Sequence, residues 1–126
     1  MPISAFSSSS KLIEVRFAFT IDKYKPDTHR MKPSTALNQH RAAIRSVVMS
    51  YRAENPRIFG SVVHGDDTES SDLDILIDPR TDTTLMDVAN IQLDLERLLG
   101  VSVDVLTPKA LPLKFRSVVL AEAVPV

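Results

Sequence analysis

A chain of 126 residues with 44% hydrophobic and 25% charged side chains has the make-up of one ordinary globular domain. The formal net charge of −1 excludes the broad basic field that general nucleic-acid binding needs, so no direct nucleic-acid binding is expected. With Cys 0 and no apolar run long enough to cross a bilayer, disulfide frameworks, thiolate metal sites and membrane spans are excluded, and the expected compartment is the cytoplasm.

Residues 1–32 read apart from the rest, as an N-terminal extension to a domain over 33–126. Ser7 to Ser10 is a serine run, and Ile13, Val15, Phe17, Phe19 and Ile21 then alternate in the period-2 pattern of a half-buried strand. Asp22 to Arg30, with Pro26, reads as a linker. No basic start with a continuous apolar segment opens the chain, so no signal peptide is expected. Two readings of the extension stay open: an added strand, or translated sequence upstream of a natural start at Met31.

Pro33-Ser34-Thr35 signals a helix start with Ser34 or Thr35 as the cap. Leu37, Ile44, Val47, Val48 and Tyr51 recur at helical spacing, and Asn55-Pro56 is expected to end the run. His40, Arg41 and Arg45 fall on the opposite face, read as solvated; a contact to a partner or nucleotide is the alternative.

Arg57-Ile58-Phe59 reads as a short strand that runs into Gly60-Ser61. Glycine after an apolar run permits a sharp turn or close backbone approach, while Ser61 offers a hydroxyl and an N–H of the kind that holds phosphate oxygens. Val62 to His64 is expected to form a brief helical turn. The loop Asp66–Ser71 is acidic and polar, but it lacks the sixth-position Gly and twelfth-position Glu of a calcium-binding helix-loop-helix. Asp72 to Asp78 is the next strand, stopped by Pro79. Strand alternation puts Asp72 and Asp74 on one side and Leu73 and Ile75 on the other. Two neighbouring carboxylates repel and are best accommodated by a shared divalent cation. Asp78 has the same parity but reads as a strand-end residue.

Thr83 or Thr84 caps the following helix, with Asp87 in a capping-box position three after Thr84. Leu85, Val88, Ile91, Leu95, Leu98 and Leu99 form its apolar face, widened by Met86 and Leu93, and Gly100 ends it. Val101 to Leu106 is a third strand on which Asp104, a carboxylate in an apolar setting, needs a partner or a metal unless it faces water at an edge. A last helix follows Pro112. Strand, helix, strand with helices on one face predicts an α+β (α/β-like) domain on a small mixed sheet.

Gly60-Ser61, a short spacer, then Ser71-Asp72-Leu73-Asp74 ahead of Ile75-Leu76-Ile77 resembles the signature of the nucleotidyltransferase (DNA polymerase β-like) superfamily. The run from Gly60 to Asp78, the short chain and the ending Ala121-Glu122-Ala123-Val124-Pro125 are most similar to the minimal nucleotidyltransferases. These are the MNT antitoxins of HEPN/MNT toxin–antitoxin pairs, and the resemblance covers residues 33–126. It implies the nucleotidyltransferase fold, with Asp72 and Asp74 holding two Mg²⁺ ions. Asp104 would bind the catalytic ion and help deprotonate the acceptor. Gly60 and Ser61 would grip the β- and γ-phosphates of ATP.

The implied reaction is that of a type VII-like antitoxin: transfer of AMP from ATP to a tyrosine hydroxyl of a HEPN ribonuclease toxin, its partner in a hetero-oligomer. Self-association is also left open. Alternatives are an idle antitoxin that acts by binding alone, and nucleotidyl transfer to a small molecule. Many relatives carry arginine where this chain has His64, and an imidazole cannot make arginine's bidentate fork to phosphate.

Overall fold

In a computed structural model of the protein, residues 31–126 are described; the alternating strand and the linker expected before Met31 lie outside the described residues. The elements run α1 (Pro33–Gln39), α2 (Arg41–Ser50), β1 (Ala53–Phe59), α3 (Ser61–His64), β2 (Leu73–Pro79), α4 (Leu85–Leu99), β3 (Val103–Leu106), a 3₁₀ turn (Pro108–Ala110), α5 (Leu113–Glu122) and β4 (Val124–Pro125). The sheet order is β3-β2-β1-β4. β1 is antiparallel to β2 and β4, while β2 and β3 are parallel, so the sheet is mixed. This is an α+β fold on a small mixed sheet, as the order of elements predicts.

Alternation along β2 builds the core. Leu73, Ile75 and Ile77 face one side, together with Ile58 of β1 and Val103 and Val105 of β3, and all are buried. Ile44 and Val48 of α2 and Ile91, Leu95 and Leu99 of α4 cover them at helical spacing. Each such aliphatic side chain contributes ~1.5–3 kcal/mol on leaving water. Tyr51 follows α2, and its hydroxyl donates to Asp94 of α4 at 2.6 Å. That hydrogen bond raises the phenol above its ordinary pKa, aided by burial and the carboxylate's charge.

The expected first helix is two helices that meet at His40, whose φ of −133° is not helical. Neither Ser34 nor Thr35 caps α1. Pro33, with its pre-set φ, takes the first turn and makes Lys32 the N-cap. The Ser34 N–H is instead held by the Asp67 carboxylate at 2.8 Å, from a loop 33 residues away. α2 also stops earlier than expected, at Tyr51 and Arg52, where Arg52 turns the chain with a φ of +66°. Asn55 and Pro56 therefore lie inside β1, at an irregularity between Glu54 and Arg57 where Asn55 takes a φ of +54°. Pro56 has no N–H to give the ladder, and its carbonyl accepts the Val126 N–H at 3.0 Å. On the face read as solvated, Arg41 and Arg45 each donate to the Val126 carbonyl, at 3.3 and 2.9 Å.

α4 carries the expected capping box: the Asp87 N–H donates to Thr84 Oγ1, and the Asp87 carboxylate accepts the Thr84 N–H. Gly100 closes the helix in the left-handed region. Leu85 and Met86, expected in the apolar face, are instead 86% and 67% exposed, because the first turn precedes the point where the helix meets the sheet. Further along, Gln92 and Glu96 turn inward. Their carboxamide and carboxylate oxygens accept the N–H groups of Val105 and Val103 at 3.2 and 3.1 Å, along the outer edge of β3. α5 differs from the other long helices, since none of its residues is buried.

Thr84→Ala removes one half of the capping box and is expected to cost about 1 kcal/mol in urea unfolding. The Thr84 N–H hydrogen bond, more than the Thr84 hydroxyl or the Arg52 charge, holds the Asp87 carboxyl below its ordinary pKa against the opposing effect of burial. A lowered folded-state pKa stabilises above the unfolded value, and the effect fades as pH falls through the folded value. The stability gap between the wild type and Asp87→Asn is therefore expected at neutral pH and closes below the usual carboxylate range. Unfolding curves taken across that range check it.

Candidate active site

The ladder pairs Phe59, Asp74 and Asp104 in one row across β1, β2 and β3. Paired residues share a face, so this row points away from the apolar core that Ile58, Ile75 and Val105 fill one position along. Asp74 and Asp104 thus stand on adjacent parallel strands, roughly 4.8 Å apart in the hydrogen-bonding direction. Asp72 lies just ahead of β2, half-buried, next to the point where the Leu73 N–H reaches the Ser102 carbonyl at 2.8 Å. It stands two residues upstream of the row and, by alternation, on the side of Asp74.

Gly60 closes this row at the end of β1. Its backbone, at φ +82° and ψ −149°, occupies a region that essentially only glycine enters. A Cβ built there would overlap Oδ2 of Asp74. The turn thus lies directly against the carboxylate. Ser61 begins α3, whose C-terminal residue is followed by Gly65 in the left-handed region. Val62 and Val63 pack their side chains against the core. His64 Nε2 lies 2.8 Å from Glu122 Oε1 at the end of α5, a contact with no signal in the sequence pattern.

Asp78, at the far end of β2, is engaged by Arg57 in an ion pair and by the Asn55 side chain at 2.9 Å, in keeping with its reading as a strand-end residue. An open depression of about 540 Å³ lies over the Asp66–Ser71 loop, lined by Lys32, Asp67, Thr68, Glu69 and Ser70. Neither Asp74 nor Asp104 lines it.

The donor set suits a hard cation: Asp72, Asp74 and Asp104 offer only oxygen. Among the described residues, no three His, Cys, Asp or Glu side chains converge closely enough to cage an ion by themselves. Magnesium fits such an arrangement, because it is usually held by one or two carboxylates together with waters and substrate phosphates.

Residues 43–126 match the sequence profile of the polymerase beta nucleotidyltransferase domain. The chain belongs to this nucleotidyltransferase family. It is 31% identical over 90 residues to a candidate protein adenylyltransferase of Methanocaldococcus jannaschii, MJ0435, covering 71% of this chain and 97% of that one. A second such protein of the same organism, MJ0126, is 31% identical over 75 residues, 60% of this chain and 74% of that one. A solved structure described as a candidate minimal nucleotidyltransferase superposes with a TM-score of 0.69 at 40% identity, over 79% of this chain and 100% of the other. A toxin–antitoxin crystal structure with AMP-PNP shares the fold, with a TM-score of 0.55 at 14% identity over 73% of this chain and 70% of the other.

Within a nucleotidyltransferase, the row has a clear reading at the level of residue types: carboxylates beside a glycine turn. Sequence reasoning missed Phe59 as the third member of the row and Glu122 as the partner of His64. The first follows only from the register, and the second joins positions 58 residues apart.

The two turn glycines are expected to respond differently to alanine. Gly65→Ala meets open space and bears only the left-handed backbone penalty, about 1–2 kcal/mol. Gly60→Ala adds the overlap with Asp74 to a backbone strain of about 1–3 kcal/mol, so it also displaces the carboxylate. Unfolding midpoints, with a crystal structure of the Gly60 variant, check both.

Proposed function

We propose that this nucleotidyltransferase moves AMP from ATP to a tyrosine hydroxyl of a HEPN-type toxin and so acts as its antitoxin, residues 33–126 being the catalytic domain. The observation that carries the reading is the pairing of Asp74 with Asp104 directly beside the Gly60 turn. The protein adenylyltransferase names of its relatives and the toxin–antitoxin assembly of its structural neighbour support the choice of a protein acceptor.

In this reading Asp72, Asp74 and Asp104 hold magnesium, two ions being expected, which when bound neutralises phosphate charge and polarises the α-phosphate. Gly60 and Ser61 grip the β- and γ-phosphates: glycine lets the backbone approach them, and serine adds its hydroxyl. Asp104 takes the proton of the acceptor hydroxyl. The acceptor oxygen forms a bond to the α-phosphorus, the bond from that phosphorus to the bridging oxygen breaks, and pyrophosphate leaves. Phe59 supplies an apolar flank to the carboxylate row. Holding acceptor, phosphate and base in line provides the largest share of the rate in such reactions.

The test mixes the purified protein with ATP labelled at the α-phosphate and Mg²⁺, with and without a HEPN-type toxin. Label on the partner is expected, and Asp74→Ala or Asp104→Ala is expected to lower it more than ~100-fold. If no label appears while the Asp74 variant still silences the toxin, catalysis is not how the protein works and simple binding takes its place.

A further inference from the structure

α3 is a four-residue helix strung between two glycines at positive φ, Gly60 at +82° and Gly65 at +77°. Glycine restrains the backbone less than any other residue, so such a helix pivots easily unless side chains hold it. Val62 and Val63 hold its inner side against the core. Across its outer end, His64 meets Glu122 at 2.8 Å. A carboxylate only accepts, so Nε2 of His64 carries the proton in this bond and is committed to it. Two residues beyond Glu122, Val124 pairs with Ile58, which lies two residues before Gly60. The chain therefore closes a small ring: Glu122, Val124, Ile58, Gly60, His64 and back to Glu122.

We propose that the His64–Glu122 pair is a clasp that sets the aim of the Gly60–Ser61 turn, which makes His64 a positioning residue for the nucleotide's phosphates. The proposal rests on the assignment of that turn to the triphosphate. Its force comes from the lack of slack at Gly60, where the backbone lies so close to Asp74 that a single methyl group would not fit. Any pivot of α3 about its glycines changes the spacing between Ser61 and the carboxylate. Both partners are partly solvated, with side chains 51% and 35% exposed, and pairs of this kind add little to global stability. A purely structural role thus predicts small effects on stability and no change in nucleotide affinity.

The experiment compares the wild type, His64→Ala, Glu122→Ala, the double variant and His64→Arg, each first checked for an unchanged unfolding midpoint. Hydrogen exchange on the nucleotide-free proteins reads the turn directly, and equilibrium binding of a non-hydrolysable ATP analogue with Mg²⁺ reads its aim. Both alanine variants are expected to exchange faster over residues 61–65. Each is expected to bind the analogue about fivefold more weakly, the equivalent of roughly 1 kcal/mol. The double variant should be no worse than either single one, and His64→Arg, which still reaches a carboxylate, should keep wild-type values. Unchanged exchange at 61–65, or effects that simply add, overturns the clasp. A wild type that binds no nucleotide overturns the triphosphate assignment and with it the positioning role. The exchange data need no nucleotide, so they separate that failure from a failure of the clasp itself.

Discussion

Parallel strands carry their side chains in lockstep, and the β2–β3 ladder uses this to hold two like charges side by side. Asp74 opposite Asp104 is unfavourable by electrostatics alone. The opposite face of the same strands prevents escape: Leu73 with Val103 and Ile75 with Val105 lie under α2 and α4, buried. A slip of one residue would bring Asp104 into the core and push the valines out. Hydrophobic burial, an effect of many kilocalories, therefore dictates the position of a charge pair that the charges themselves would not choose. The Gly60 turn completes the arrangement, because only a residue without a side chain leaves room for Asp74 beside it.

Much of this was legible in the chain. The alternation from Asp72 to Ile77, the capping box at Thr84 and Asp87 and the left-handed Gly100 are local signals, and local physics decides them. The pairing of Asp74 with Asp104 needed a resemblance as well, since no periodicity reveals which residue of a distant strand lies opposite. What stayed hidden has a common cause. Asp67 capping α1, His64 meeting Glu122 and the two arginines holding Val126 all join residues far apart in the chain. Short-range expectations at Ser34, Met86 and Asn55-Pro56 failed for the related reason that tertiary contacts outweighed local preference. Proline is a poor strand former in isolation, yet at an irregularity in β1 its missing donor costs the ladder nothing.

The last helix is apolar without being part of the core. α5 is rich in apolar residues, yet Leu113, Phe115, Val118 and Leu120 are each exposed. Its anchors lie at its ends and underneath. Arg116 donates to the carbonyls of Lys109 and Leu111, and the short β4 that follows pairs with β1. A helix held in this way owes its place to polar tethers more than to packing.

The two outer strands carry a further consequence. At one margin of the sheet, the outward N–H groups of Val103 and Val105 are already spoken for by Glu96 and Gln92. At the other, β4 is only two residues long and one of them is proline. Open margins invite another chain to continue the ladder, the route to fibres and domain exchange. Among the described residues both margins are blunted, and the sheet they form is a terminated lattice that offers a further chain little backbone to copy. A protein that docks on these strands therefore has side chains to read, where identity is written, more than a main-chain ladder to extend.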